Sequence, residues 1–113
     1  MSQLDLIFAA LANPTRRAIV DRLMGGEASV MDLAAPFELS QPTISSHLKV
    51  LEAAGLVTRG RQANLRPVRL DPQAVAAVDA WAAQFRALWA PRLDRLEDFA
   101  RELQAQERKN DDP

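Results

Sequence analysis

The sequence predicts a mainly helical domain that carries one small β-hairpin, and three observations support this fold class. Apolar residues recur every three or four positions through the first half of the chain and again through its C-terminal third, which is the spacing of amphipathic helices. That period is interrupted once, where residues 56–58 and 68–70 flank a polar turn. Capping residues and prolines precede the helical segments. At 113 residues, we expect one domain over residues 1–105 and a polar, flexible tail at 106–113.

The first two helices are separated by a capping residue and a proline. Four apolar residues at helical spacing predict a first helix up to residue 12: Leu4, Ile7, Phe8 and Leu11. Asn13 and Pro14 then start a second helix, because Asn is a favourable N-cap and Pro fits the first helical position. This helix runs to about residue 24, where Gly25 and Gly26 stop it.

Two serines begin the next two helices. Ser29 is the predicted N-cap of a short third helix that ends near Pro36. Ser40 is the predicted N-cap of a fourth helix, which Gly55 ends. Three apolar residues share one face of this fourth helix and anchor it: Ile44, Leu48 and Leu51. The two helices are joined by residues 37–39 alone, which is typical of a helix-turn-helix connection.

The C-terminal third of the chain is predicted to be one long helix. Asp71 and Pro72 repeat the combination of capping residue and proline that starts the second helix. Pro91 either kinks the long helix or begins a new segment, because proline removes a backbone donor from the helix interior.

Positive charge is concentrated in the middle of the chain. The formal net charge is −1, yet residues 40–70 carry five basic side chains and one acidic side chain, while both flanks are net acidic. A polyanion would bind at the central stretch, and the acidic flanks would discourage indiscriminate binding. This distribution favours a nucleic acid as partner in spite of the near-neutral total.

The fourth helix and the hairpin carry side chains of the kind that bind DNA. The second helix of a helix-turn-helix enters the major groove, where Gln pairs with adenine and Ser or Thr bonds base edges or phosphates. The candidates are Gln41, Thr43, Ser45, Ser46 and Lys49. Around the hairpin tip, arginines would contact phosphates or the minor groove: Arg59, Arg61, Arg66 and Arg69. The alternative is that Ser40 and Pro42 only begin the helix and that its other polar residues form a solvated face.

Three segments resemble the ArsR-type family of winged helix-turn-helix transcriptional repressors. They are LANPTRRAI at 11–19, LSQPTISSHLKVL at 39–51 and AGLV at 54–57, and the likeness extends from residue 4 to about residue 90. The resemblance implies a winged helix-turn-helix homodimer that binds double-stranded DNA at an operator and releases it when an effector binds. Carried over by position, it places at the DNA Ser40, Gln41, Thr43, Ser45, Ser46 and His47, with Arg61 and Arg66 on the wing.

No metal and no other cofactor is expected. Many members of the family that the chain resembles sense metals through two cysteines on the third helix, and Ser29 and Met31 occupy those positions here. A hydroxyl and a thioether do not replace two thiolates as ligands of a soft metal. The chain has no cysteine, and its one histidine, His47, lies in the fourth helix. His47 contacts DNA or donates to a phosphate, or alternatively packs against the turn.

A long apolar stripe in the C-terminal helix predicts a homodimer. Its residues recur every three or four positions over a length that one small domain does not cover, so a partner helix is implied. We expect the same helix of a second subunit, with the first helix packed alongside. The predicted interface comprises Leu4, Ile7, Phe8, Leu11, Val78, Ala82, Phe85, Trp89, Leu93 and Leu96. A twofold dimer would set two recognition helices about 34 Å apart, which suits a palindromic operator.

The aromatic residues of this stripe leave two alternatives open. Trp81, Phe85 and Trp89 form part of the dimer core, or they line an interface pocket for a small apolar effector. Binding of a ligand there would change the spacing of the two recognition helices and so release the DNA.

Other classes of protein are disfavoured. The residues nominate no nucleophile–base pair, metal cluster or phosphate-binding loop, so we do not expect an enzyme. A winged helix that binds an acidic protein through its basic hairpin is the alternative, and failure to bind any DNA would favour it. No apolar run reaches the roughly 18 residues of a membrane span, and the first residues lack a secretory leader, so we expect a cytoplasmic protein without a membrane partner.

Overall fold

The computed structural model describes residues 2–60 and 67–111 of the chain. In chain order it contains α1 (Gln3–Leu11), α2 (Pro14–Leu23), α3 (Val30–Ala34), a 3-10 turn (Ala35–Phe37), α4 (Gln41–Ala53), β1 (Val57–Arg59), β2 (Val68–Leu70) and α5 (Pro72–Asp111). This order confirms the predicted fold class, a mainly helical protein with an antiparallel hairpin. The chain divides into two compact units: unit 1 ends at Val78, and unit 2 begins at Asp79 within α5.

Side-chain hydrogen bonds confirm the predicted helix starts. The side chains of Asn13, Ser29 and Ser40 each accept a hydrogen bond from the amide three residues further on, at 3.1, 3.1 and 3.3 Å. Each bond satisfies one of the amide groups that a helix leaves unpaired in its first turn. α1 begins in the same way, because Ser2 forms a capping box with Asp5.

Unit 1 encloses an apolar core to which α1–α4 and both strands contribute. The largest fully buried side chains are Ile7, Ile19, Leu33, Ile44, Leu48, Leu51, Val57 and Val68. The three predicted anchors of α4 are among them, so that helix is held to the core along one whole face. Ile7, which the sequence analysis assigned to a dimer interface, has 0% of its surface exposed. It therefore packs within its own subunit and offers no area to a partner.

The hairpin is extended by a segment that was not predicted. Its antiparallel register is set by three pairs: Val57–Leu70, Thr58–Arg69 and Arg59–Val68. β1 begins one residue later than predicted because the Leu56 amide donates to the Leu51 carbonyl at 3.0 Å and so closes the end of α4. On the other side, Ala28 and Val68 exchange two backbone hydrogen bonds, at 3.1 and 2.8 Å. The chain before α3 is thereby tied to the hairpin.

α5 continues past two points at which the sequence analysis considered an end. It runs through Pro91, so no new segment begins there; the carbonyl of Ala87 that loses its donor belongs to an exposed residue and remains open to water. It also includes residues 106–111, which the sequence analysis placed in a flexible tail. The Gln, Glu, Arg and Lys residues there are good helix formers, and Arg108 and Lys109 interact favourably with the last turn.

Unit 2 consists of α5 from Asp79 onward, and it has no interior of its own. Between residues 79 and 110 no side chain is buried. Its apolar side chains form a stripe at intervals of three or four residues, which we call the seam: Ala82, Phe85, Trp89, Leu93, Leu96, Phe99 and Leu103. Among the described helices none is long and apolar enough to cross a bilayer.

Candidate nucleic-acid interface

The connection between α3 and α4 sets where α4 begins. The 3-10 turn Ala35–Phe37 is followed by Glu38, whose backbone is left-handed at φ 54° and ψ 25°. Ser40 returns to an extended conformation and caps α4. A non-glycine residue in the left-handed region is strained, so the packing of α3 and α4 on either side holds this turn in place. The connection is the short helix-turn-helix link that the brief segment at residues 37–39 predicted.

α4 has one face in the core and another open to solvent. The Ile44, Leu48 and Leu51 side chains have no exposed surface. Most of the predicted DNA-binding residues of this helix are exposed: Ser40, Gln41, Thr43, Ser46 and Lys49. Ser45 and His47 are half-buried. The structure therefore brings the predicted contacts together on one helix, whose apolar face fixes its position.

Several hydroxyl groups near the start of α4 bond one another or the backbone. The hydroxyls of Ser40 and Thr43 lie 2.9 Å apart, and Ser40 also accepts from the Thr43 amide. The Ser46 hydroxyl donates to the Pro42 carbonyl at 3.0 Å. Ser40 is thus the N-cap in any interpretation of the helix. Because a hydroxyl has one donor and two acceptor lone pairs, these groups retain capacity for a further bond to an amino group of a base.

His47 is contacted by a residue that the sequence analysis did not single out. The Arg16 guanidinium, on α2, places its Nη1 3.4 Å from His47 Nδ1, and its Nε donates to the Ala10 carbonyl on α1 at 2.6 Å. Both side chains are half-buried. Arg16 carries no pattern of its own in the sequence, since it is one of two adjacent arginines on a helix surface, and only the packing of α2 against α4 shows which one reaches His47.

The hairpin arginines fall into separate groups. Arg61 and Arg66 lie outside the described residues. Arg69 is exposed, and its Nε donates to Thr58 Oγ1 at 3.3 Å. Arg59 differs, because its side chain is 19% exposed and its Nε lies 3.6 Å from the Glu52 carboxylate at the end of α4. The structure therefore places Arg59 in a contact between α4 and the hairpin rather than on the open polar face.

The residues compared with a metal-binding motif have structural surroundings of their own. Ser29 is occupied as the N-cap of α3, with the Asp32 carboxylate completing a capping box. Met31, two residues after Ser29, is exposed. Residues 2–60 and 67–111 contain no group of three or more acidic or histidine side chains arranged to hold a metal ion.

Three aromatic rings form a ladder along α5 in unit 2. Trp81 and Phe85 stack with ring centroids 5.5 Å apart, and Phe85 and Trp89 follow at 6.1 Å with a 33° tilt. The Arg92 guanidinium lies 5.0 Å from the Trp89 ring centroid, within the range of a cation–π contact. The three rings remain substantially exposed. The ladder is therefore a continuous aromatic surface along one side of the helix.

Comparison with known proteins places this arrangement in context. A family model described as bacterial regulatory protein, arsR family, matches residues 13–59. The HTH-type transcriptional regulator Rv2034 of Mycobacterium tuberculosis is 45% identical over 74 residues, which are 66% of this chain and 69% of that protein. The arsenical resistance operon repressor of Escherichia coli K12 is 34% identical over 102 residues, which are 88% of this chain and 84% of that protein.

A solved structure resembles this fold. It is the homodimeric winged helix-turn-helix DNA-binding domain of Mb0332 from Mycobacterium bovis, a possible ArsR-family transcriptional regulator. The TM-score is 0.61 at 27% identity, and the alignment covers 78% of this chain and 83% of that one. This likeness and the family match confirm the predicted winged helix-turn-helix fold and the resemblance on which the site assignment depends.

Proposed function

The chain belongs to the ArsR family of bacterial regulatory proteins, and from this premise we propose that it acts as a homodimer that binds a palindromic operator through α4 and releases it when a small apolar effector binds. Its function is that of a DNA-binding transcriptional repressor, not an enzyme, as in the relatives. We place this activity in the cytoplasm, where a bacterial regulator meets its operator.

The observation that carries the DNA-binding part is the division of α4 into a buried and an open face. Gln41 and Thr43, in the first turn, are exposed, and the N-terminal residues of a recognition helix are those that contact base edges. We propose that Gln41 pairs with adenine and that the hydroxyls of Thr43, Ser45 and Ser46 bond bases or phosphates. His47 and Lys49, further along α4, complete the proposed contacts.

The wing supplies the remaining proposed contacts. In sequence, Arg61 comes after β1 and Arg66 comes before β2, so these two arginines are the closest to the hairpin tip. We propose that they bind phosphates or the minor groove. Arg59 is omitted from the proposed contacts, because its guanidinium faces Glu52 and is largely buried.

The seam supports the homodimer. Apart from half-buried Ala82, its apolar side chains are exposed along α5, and a contiguous apolar face of this length is typical of a protein–protein interface. On α1, Phe8 is exposed and Leu4 half-buried, so this helix also offers apolar area to a partner. We propose that both surfaces contact a second copy, which would present two α4 helices to successive major grooves. Leu11 and Val78 contribute less, since each packs against the core of unit 1.

The aromatic ladder is the proposed place for the effector. Flat exposed rings in series favour a small apolar or aromatic molecule, and a ligand held between subunits would shift the distance between the two α4 helices. Both tryptophans of the chain belong to the ladder, so intrinsic fluorescence reports on it directly. Titration with toluene, which does not absorb where tryptophan is excited, should change this fluorescence and release the operator. Unchanged fluorescence and retained DNA with toluene and with octanoate would contradict an apolar effector.

The first experiment is fluorescence anisotropy of the purified protein with the DNA upstream of its own gene, beside a scrambled duplex, over a series of salt concentrations. We expect preference for the native duplex and a fall in affinity by roughly 10³-fold between about 50 and 200 mM salt, as proteins with several phosphate contacts show. Equal weak binding to both duplexes would contradict the operator proposal, and no binding to either would favour an acidic protein partner.

Two substitutions separate base contacts from phosphate contacts. Gln41→Ala should weaken binding by about 1–3 kcal/mol and relax the preference at one base pair, because it removes a bidentate contact. Arg61→Ala should weaken binding to all duplexes similarly and reduce the salt slope by about 1. An unchanged slope in Arg61→Ala would remove this residue from the proposed phosphate contacts.

The dimer is tested by sedimentation of Leu93→Glu beside Gln104→Glu, since both add one negative charge to an exposed position of α5 but only Leu93 belongs to the seam. Leu93→Glu should weaken self-association by roughly 30- to 900-fold, as loss of an interface hot spot does. Gln104→Glu should sediment as the unmodified protein does. A wild-type chain that is monomeric at micromolar concentration would contradict the proposal.

A further inference from the structure

Arg16 bonds two different helices with one guanidinium group. We propose that it is a positioning residue for operator recognition, which holds the His47 imidazole so that its Nε2–H is presented to DNA. The inference rests on the proposed function, in which His47 lies at the operator. It gives Arg16 a part in DNA binding without contact to the DNA itself.

The chemistry of the contact selects one form of the His47 ring. A guanidinium has five N–H donors and no acceptor, so the nitrogen it approaches must accept. With His47 Nδ1 accepting from Arg16 Nη1 at 3.4 Å, the ring proton resides on Nε2. The ring then offers one N–H donor in one direction. Suitable acceptors in DNA are guanine N7 and O6, thymine O4 and phosphate oxygens.

Arg16 is itself held by the backbone of α1 and the cap of α2. Its Nε donates to the Ala10 carbonyl at 2.6 Å, and its amide donates to Asn13 Oδ1 at 3.1 Å. The Ala10 carbonyl is one of the last four of α1, which lack partners within that helix. A shift of α1 would therefore move the Arg16 guanidinium and, through it, the His47 ring. Since Phe8 and Leu4 of α1 belong to the proposed dimer surface, this contact links that surface to α4.

Arg17 is a matched control for Arg16. It is the next residue of α2, carries the same charge, and also donates to a carbonyl at the end of α1, that of Leu11 at 2.8 Å. Its side chain is exposed and bonds on the α1 side. Arg16→Lys and Arg17→Lys both retain the positive charge while replacing the planar fork by a single ammonium group. Only Arg16→Lys removes the guanidinium that contacts His47.

The readout is the imidazole tautomer together with operator affinity. His47 is the one histidine of the chain, so its ¹⁵N-labelled ring gives a single assignable set of signals. The proposal expects the Nε2–H tautomer in the wild-type protein and in Arg17→Lys, and a mixture of tautomers in Arg16→Lys. It also expects affinity roughly three- to tenfold weaker in Arg16→Lys, the range typical of one lost hydrogen bond. An unchanged tautomer in Arg16→Lys would overturn it.

A double substitution distinguishes positioning from direct contact. If Arg16 acts through His47, Arg16→Gln with His47→Ala should bind the operator no more weakly than His47→Ala alone. Two results would instead make Arg16 a phosphate contact and overturn the proposal. One is that the losses of affinity from the two substitutions add, and the other is that the salt slope falls by about 1 when Arg16→Gln is introduced beside His47→Ala. Thermal unfolding of each variant establishes that it is folded.

A pair of His47 variants keeps the proposal testable if the Arg16 variants fail to fold. Asn places its amide near the position of Nδ1, and Gln places its amide near that of Nε2. His47→Gln should therefore retain more operator affinity than His47→Asn. Equal losses would overturn the inference. A wild-type protein that shows the Nε2–H tautomer but prefers no operator would contradict the proposed function and leave the ring-positioning result standing apart from it.

Discussion

Units 1 and 2 use the same apolar residue types to opposite effect. In unit 1, leucine, isoleucine and valine side chains from α1–α4 and the hairpin are fully buried against one another. In unit 2, leucine and aromatic side chains at the same helical spacing are exposed along α5 from Asp79 onward, and no side chain between residues 79 and 110 is buried. Periodicity is therefore a guide to which face of a helix is apolar. It does not tell whether that face is covered by its own chain or by a partner.

The difference has a thermodynamic consequence. Apolar area that the chain buries within unit 1 stabilises the folded subunit whatever its concentration. Apolar area on the seam contributes only when something covers it, so its contribution grows with the concentration of the partner. Substitutions of the same chemical type in the two units should thus differ in magnitude and in how they respond to dilution.

The largest expected effect comes from removing the same side chain in each unit. Leu48→Ala in α4, at 0% exposure, should lower the free energy of unfolding by about 2–5 kcal/mol through lost burial and a residual cavity. Leu96→Ala in the seam, at 64% exposure, should change it by no more than about 0.5 kcal/mol in dilute protein. Urea unfolding followed by circular dichroism measures both.

Dilution separates the two substitutions further. The midpoint temperature of thermal unfolding should rise with protein concentration in the wild type and in Leu48→Ala, because only folded chains associate as dimers. In Leu96→Ala that rise should be smaller. If Leu96→Ala is as destabilising as Leu48→Ala at every concentration, the seam is covered within its own chain and the contrast between the units fails.

The next effect compares one ion pair in each unit. Glu52 approaches Arg59 at 3.6 Å with side chains 47% and 19% exposed, whereas Glu97 and Arg101 of α5 lie 3.4 Å apart and are 65% and 70% exposed. Glu52→Gln should cost about 1 kcal/mol, because within the described residues Arg59 Nε and Nη2 are buried without a hydrogen-bond partner and would also lose the nearby charge. The half-exposed carboxylate keeps this figure well below that of a fully buried pair.

Glu97→Gln is the matched control, since it makes the same chemical change in an exposed pair four residues apart on one helix. Its effect should not exceed about 0.5 kcal/mol and should vanish in high salt. Circular dichroism melts at low and high salt distinguish the two variants. Equal losses, or complete screening of the Glu52→Gln effect by salt, would mean that Arg59 is solvated and available to DNA as the sequence analysis expected.

The sequence predicted the regular parts of unit 1 well because local chemistry determines them. Asn13, Ser29 and Ser40 cap helices through bonds to amides three residues away, and such bonds need no tertiary contact. The polar face of α4 was predictable for the same reason, since its apolar residues follow a helical period.

The contacts that sequence analysis missed are those between distant segments. Ala28 pairs with the hairpin across a single bridge, which is too short to have an alternating pattern. Arg59 is an arginine beside a basic turn, and only the end of α4 shows that it faces Glu52. Ile7 belongs to the same apolar stripe as Phe8, and tertiary packing alone decides that one is buried while the other is exposed.

The smallest effect expected in unit 1 concerns glycine, whose introduction should change stability with opposite signs in the two units. Glu38 has φ 54°, a region that costs a non-glycine residue about 1–2 kcal/mol, so Glu38→Gly should relieve this strain and stabilise unit 1. Part of that gain is offset because glycine has greater conformational entropy in the unfolded chain. A net gain of about 0.5 kcal/mol is expected. Glu38→Ala removes the same side chain without relieving the backbone and should be nearly neutral.

In α5, Gln104→Gly should instead lose about 1 kcal/mol of local helix stability. Urea unfolding detects the first change and helical ellipticity the second. If Gly and Ala at position 38 unfold alike, the backbone of the turn before α4 carries no strain that glycine relieves, and the argument from its left-handed φ is wrong.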